Sequence, residues 1–157
     1  MTTPFHYPFT VKKDWVDYNG HMNDAEYVRA FSLATDAFMD FIGLDENGRR
    51  EHSYTIFTLE THTCYLKEAH EGEPLAINSQ LLDVDEKRIH QIFFMENENG
   101  DVIATYEQML MGIDQNSGRP APFPEPVERT IHAIYSEDEN KEKPKQAGRT
   151  IGIRRKK

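Results

Sequence analysis

At 157 residues the chain fits one domain and leaves little room for a second. Hydrophobic residues make up only 38% of it, a modest core that favours association between copies. With 27 acidic against 18 basic residues the formal net charge is -9, which argues against nucleic acid or an anionic membrane as a partner. The single cysteine, Cys64, excludes an intrachain disulfide, and no cysteine cluster offers zinc ligands. The opening MTTPFHYPFTVKK lacks the pattern of a secretory signal, and no apolar run is long enough to span a membrane. A soluble cytoplasmic protein is expected.

In chain order, an aromatic-rich extended piece over Phe5 to Val11 leads into a polar loop, DWVDYNGHMN, at residues 14–23. From Asp24 onward Tyr27, Phe31, Ala34, Phe38 and Phe41 recur at helical spacing, flanked by Val28, Thr35 and Ile42, and predict a long helix with one broad apolar stripe. Asn23 as cap with Glu26 three residues on reads as a capping box, and Gly43 supplies the stop. After a polar stretch containing Asn47, Gly48, Arg49 and Arg50 the pattern turns to strands: Ser53–Leu66, Pro74–Val84, Lys87–Asn97 and Val102–Asp114. Short turn-like separators make the last three an antiparallel meander. Beyond Gly118 come four prolines at alternate positions 120–126, a short helix over Val127–Tyr135, a stretch at 137–145 that reads as disordered, and a late edge strand within 148–155.

One helix followed by consecutive strands excludes a doubly wound sheet and predicts an α+β fold, one long central helix on a curved antiparallel sheet of about five strands. The main domain is expected over residues 1–126, with a C-terminal extension over 127–157.

The loop at 14–23 draws attention because Asp17, Asn19, His21 and Asn23 alternate immediately before a helix N-terminus. In an extended approach their side chains share one side. The helix terminus and the backbone amides from Gly20 to Asn23 then suit an oxyanion formed during acyl transfer. A carboxylate beside such a site fits hydrolysis. No metal-ligand set such as H-E-x-x-H occurs, so no metal or cofactor is expected.

The D-x-N-G-H-x-N block, the Tyr-bearing helix after it and the strand T-L-E-T-H-T-C-Y-L at 58–66 resemble the hotdog-fold thioesterases over about Phe9 to Pro122. The block is also similar to that of acyl-carrier-protein thioesterases. By this resemblance Asp17, Asn19 and His21 act in thioester hydrolysis; in the 4-hydroxybenzoyl-CoA branch only the acid, Asp17, matches. A narrower resemblance, carried by WVDYNGHMNDAEYVRAFSLATDAFMDFIGLD, LETHTCYLKEAHEG and QLLDVDEKRIH, is to the betainyl-CoA thioesterases associated with carnitine breakdown. It implies hydrolysis of betainyl-CoA to glycine betaine and CoA, with an acyl-CoA as the small-molecule partner.

The residues are compatible with that substrate, because a quaternary ammonium donates no proton and is held by aromatic faces and carboxylates. Trp15, Tyr18, Tyr27 and Tyr65 are the candidate walls, Trp15 foremost because it stands in a polar loop. Each has packing as its ordinary reading. Asp17 activates water or attacks the carbonyl directly, two roles that sequence leaves open. Asn19 positions water or the carbonyl oxygen, and His21 orients the acid or donates a proton. Glu60 is a candidate second acid or counter-charge, against a plain surface position on the sheet. Lys87 and Arg88 are candidates for the CoA phosphates, against a solvated turn. A homodimer or homotetramer is expected, two sheets joined edge to edge. The competing readings are a non-catalytic binding module for betaine, carnitine or an acyl thioester, and a thioesterase for another short acyl-CoA. Hydration of an enoyl thioester requires a different motif that does not occur here.

Overall fold

The computed structural model describes residues 3–156. Its strands are β1 (His6–Thr10), β2 (Tyr54–Tyr65), β3 (Pro74–Val84), β4 (Arg88–Asn97), β5 (Val102–Asp114) and the two-residue β6 (Arg119–Pro120). The helices are α1 (Asp24–Phe41), α2 (Glu46–His52) and α3 (Glu125–Asp138). The sheet is antiparallel throughout, in the order β1-β3-β4-β5-β2, with β6 appended to β5. The fold is α+β: three helices on a curled antiparallel sheet. The meander β3–β4–β5 forms as its spacing demands, because each short turn leaves antiparallel pairing as the only close contact.

The stripe of α1 reaches the core as its period requires: Tyr27, Phe31, Ala34 and Phe38 are buried, joined by Ala30, Thr35 and Met39. Phe31 stacks on Tyr106 of β5 at 4.9 Å between ring centroids, and Phe38 meets Phe93 of β4 edge-on. Phe41 and Val28, at the margins of the stripe, stay partly exposed. The helix start is where the sequence places it, but the capping box does not form. The Asn23 side chain makes no cap bond, and its carbonyl takes the Glu26 amide while the Glu26 carboxylate pairs with Arg29. Gly43, at φ +97°, ends the helix in the left-handed conformation that glycine adopts without strain.

Three features depart from the sequence reading. The polar stretch after Leu44 is the helix α2, capped by the Asp45 carboxylate on the Gly48 amide at 2.7 Å. With seven residues and no apolar stripe it carries no periodic signal. Second, α3 is longer than expected and buries Val127 and Ile131 in the common core, so it packs on β3. Asp138 at its end accepts the Leu81 amide, where a bulge in β3 leaves that donor off the ladder. Third, residues 149–156 form no strand. The Gly148 amide docks on the Glu107 carboxylate of β5, a strand paired on both sides, so no open edge lies there for a terminal strand to join.

A polar chain crosses the core. The Gln108 amide nitrogen donates to Gln91 Oε1 at 2.9 Å and to Thr35 of α1, and Gln91 donates to Ser79 at 2.8 Å. Every link is satisfied, which is the condition for such groups to be buried without large cost. No helix among the described residues is long and apolar enough to cross a membrane.

Candidate active site

The loop 16–23 is a closed turn rather than an extended approach. Val16 and Met22 bridge, the Asp17 amide donates to the His21 carbonyl at 2.9 Å, and the Gly20 amide returns to the Asp17 carbonyl. Gly20 at φ +79° makes that reversal without strain. Alternation in sequence therefore does not place the four polar side chains on one side.

Asp17 is oriented by its own loop. Its Oδ1 accepts the amides of Asn19 at 2.8 Å and His21 at 3.2 Å, the local bonding that aspartate favours in turns. Its Oδ2 accepts no hydrogen bond from the described residues and the side chain is exposed. The carboxylate is held by one oxygen and presents the other.

The amides expected to receive an oxyanion are already engaged. Those of Gly20 and His21 go to Asp17, that of Met22 to the Ala69 carbonyl at 2.8 Å, and that of Asn23 to the Trp15 carbonyl at 2.8 Å. Backbone closure of the turn uses them. What remains open toward solvent is the first turn of α1, which no side chain caps.

Beside the loop lies the segment that follows β2. A cavity of about 280 Å³ is lined by Met22, Asp24, Tyr27, Tyr65, Lys67 and Glu68. Tyr27 and Tyr65 meet edge to face at 5.2 Å. The Tyr27 hydroxyl donates to the Lys67 carbonyl and accepts the Ala69 amide, while the Tyr65 hydroxyl donates to the Asp24 carbonyl at 3.1 Å. Burial, with nearby carboxylates, raises both phenols above their ordinary range, so they stay neutral. Lys67 pairs with Asp101.

The other aromatic candidates stand apart from this cavity. Trp15 is only 7% exposed and packs against Phe9 with the Lys12 ammonium over its ring. Its indole belongs to the core, although its neighbours in sequence are polar. Tyr18 is fully open at 97% exposure.

The remaining candidates lie elsewhere on the sheet. Glu60 is in mid-β2, in a second cavity of about 340 Å³ with His62, His90, Glu107, Arg149 and Thr150, and no residue of the 16–23 loop lines it. His90 and Glu107 pair there at 2.6 Å. Lys87 and Arg88 are at the β3–β4 turn. Arg88 lies beside Met111, itself beside Phe57, toward the Tyr54 end of β2, whereas the loop lies past the Tyr65 end. Arg88 is paired with Asp85, Nε to Oδ2 at 2.7 Å.

His21 reaches Glu68 rather than Asp17: its Nε2 is 3.3 Å from Glu68 Oε2, and its ring meets that of His70 at 4.9 Å. Glu68 and His70 were not singled out by the sequence reading, since they fall in a turn-like connection. Their signal was their place in LETHTCYLKEAHEG, directly after the strand. These three side chains are the group among the described residues whose donor atoms converge closely enough to hold a cation.

The model of the thioesterase-like superfamily matches residues 11–131, the sheet, α1 and the loop together, and the chain belongs to that superfamily. The chain is 39% identical over 149 residues to a betainyl-CoA thioesterase of Pseudomonas aeruginosa, covering 94% of this chain and 93% of the relative. It is 41% identical over 152 residues to an L-carnitine dehydrogenase/betainyl-CoA thioesterase of Rhizobium meliloti, of which it spans only 29%. A Staphylococcus aureus protein whose structure was determined in complex with CoA superposes with a TM-score of 0.91 at 35% identity, over 97% of this chain and 96% of that one.

Proposed function

We propose that this chain hydrolyses an acyl-CoA thioester at Asp17, with betainyl-CoA as its substrate. The observation that carries the reading is the carboxylate of Asp17, pinned through Oδ1 by two amides with Oδ2 left free, in the loop whose Met22 lines the Tyr27–Tyr65 cavity. The similarity to betainyl-CoA thioesterases along nearly the whole chain supports the substrate. A water oxygen adds to the thioester carbonyl carbon, the C–S bond breaks, and CoA leaves as a thiolate that takes up a proton. Asp17 Oδ2 either removes the proton from that water or attacks the carbonyl itself and expels CoA, in which second route the water adds to the resulting mixed anhydride and frees Asp17. Asn19 positions the carbonyl oxygen, and His21 serves as proton donor to the leaving sulfur. Thiolate leaves readily, so the reaction does not require a metal-bound nucleophile.

In this reading the trimethylammonium head sits against the faces of Tyr27 and Tyr65, with Asp24 and Glu68 as counter-charges. The hotdog arrangement, with α1 as the central helix, belongs to the same reading, as does a homodimer or homotetramer in the cytoplasm. The edge strand β2 exposes Phe57, Leu59 and Tyr65 and has no partner on its outer side among the described residues. Antiparallel pairing of β2 with a second copy brings the Tyr54 end of one chain, with its Lys87–Arg88 turn, to the Tyr65 end of the other. That is how the basic turn reaches CoA phosphates at the loop. Glu60, in mid-strand, then lies near the joint between copies.

The test is thiol release from a panel of acyl-CoAs. Betainyl-CoA is expected to be turned over fastest. Rapid hydrolysis of other short acyl-CoAs with none of betainyl-CoA overturns the substrate, and saturable binding without thiol release makes the protein a binding module.

A further inference from the structure

We infer that His21, Glu68 and His70 form a binding site for a divalent transition-metal ion of the zinc type. The expectation of a metal-free chain rested on the absence of contiguous ligand motifs, and this site is assembled from two segments distant in sequence.

The backbone brings them together. His21 and His70 are partners in an isolated antiparallel bridge, reinforced by the Met22 amide on the Ala69 carbonyl at 2.8 Å. Residues directly opposite in such a pair put their side chains on one face, with Cβ atoms about 5 Å apart. The rings accordingly stand 4.9 Å apart and nearly perpendicular, at 77°. Glu68 completes the set: one donor atom from each of the three residues falls within 4.8 Å of the other two.

The spacing suits a small tetrahedral ion. Two ligand atoms each about 2.1 Å from zinc lie about 3.4 Å apart. His21 Nε2 and Glu68 Oε2, 3.3 Å apart, already stand at that spacing, and the exposed His70 ring supplies a third donor within 4.8 Å of both. A carboxylate stands close to the His70 ring. The ring Nδ1 is 3.6 Å from Glu73 Oε1, and that same oxygen accepts the His70 amide at 3.0 Å. A carboxylate behind a histidine is the arrangement that fixes the tautomer of a metal-bound imidazole. The mixture of two imidazoles and one carboxylate favours zinc, copper or nickel over magnesium or calcium, which prefer oxygen donors. Glu68 and His70 are well exposed, which leaves a fourth position to water.

The ion would take the His21 imidazole. On the reading of His21 as proton donor to the leaving sulfur, zinc occupancy and thioester turnover exclude each other, and the site acts as an inhibitory switch.

The test is calorimetric titration of the full-length protein with ZnCl₂, checked by competition with a chromophoric chelator. One ion per chain is expected. His70→Ala, and separately His70→Gln as a second variant closer in size, should weaken zinc on the order of tenfold or more, in the range by which metal sites respond to loss of a ligand or its support. His132→Ala, an exposed histidine beside Glu128 on α3, should leave zinc affinity unchanged. In the activity arm, zinc should suppress thiol release by the parent and a chelator should restore it. His70→Ala should keep zinc-free turnover while resisting suppression. No stoichiometric binding, or binding that survives both His70 variants, overturns the site. Binding is read without turnover, so a protein that binds zinc through His70 yet hydrolyses no thioester refutes the proposed function and leaves the metal site standing.

Discussion

Asp17 is one acid among 27 acidic residues; like Asp85 it takes two turn amides on Oδ1, but its Oδ2, unlike that of Asp85, is not paired with a cation among the described residues. Replacing it by asparagine preserves the volume and an acceptor for the Asn19 and His21 amides, so the loop should persist. Asp17→Asn is expected to reduce thiol release by about 10²- to 10⁴-fold, the usual contribution of a positioned base, with the melting temperature nearly unchanged. Near-normal turnover would show that Asp17 only shapes the turn. The aromatic residues divide in the same way. Tyr65 is half exposed at the cavity, so Tyr65→Leu should lower the preference for betainyl-CoA over a neutral tert-butyl analogue by about 2- to 30-fold, the equivalent of roughly 0.5–2 kcal/mol of cation–π attraction. Trp15, by contrast, is buried, and Trp15→Ala should cost about 3–5 kcal/mol of stability in urea unfolding. The sequence ranks Trp15 ahead of Tyr65 because it stands in a polar loop, but a tryptophan there can face either way until the loop folds.

In β5 a single added atom meets a neighbour. At Gly112 an added Cβ would lie only 1.6 Å from the Tyr54 hydroxyl, which donates to the Ala121 carbonyl at 2.6 Å. Gly112→Ala should therefore destabilise by about 1–3 kcal/mol, as overpacking does, seen as a lower urea midpoint. The Thr35–Gln108–Gln91–Ser79 chain makes a second case. Gln108→Leu removes the central donor and leaves Gln91 and Thr35 without it, at an expected cost of about 1–3 kcal/mol in the same assay. The strands were legible because a half-buried sheet writes its two-residue period into the chain, and α1 because a stripe of aromatics at helical spacing has one use. The helix α2 was not legible, since its start depends on a local cap and its polar face carries no period.

For the whole molecule the open edge of β2 is the decisive feature. Twelve residues long and apolar at Phe57 and Leu59, it is an unpaired template of the kind that natural proteins cover or join to another strand. Light scattering at micromolar concentration is expected to give at least a dimer. Phe57→Lys places a charge on that edge and should shift the mass toward a single chain, with loss of activity if the basic turn of a second copy holds CoA. A parent protein that scatters as a monomer would count against this assembly.

The alternation of four strands and the stripe of α1 determined the α+β class, because periodicity is a property of neighbouring residues, while thioester chemistry came from the resemblance of the D-x-N-G-H-x-N block to the hotdog-fold thioesterases. The tertiary structure decided what depends on distant ones. It separated Glu60, Lys87 and Arg88 from the loop within a single chain, since the register of β2 and β4 carries them away from its Tyr65 end. It buried Trp15, gave the amides of the loop to the loop's own closure, and set His70, some fifty residues along the chain, against His21. A one-dimensional pattern cannot encode that last meeting, because backbone pairing across the fold, rather than spacing along the chain, is what brings the two imidazoles to one face.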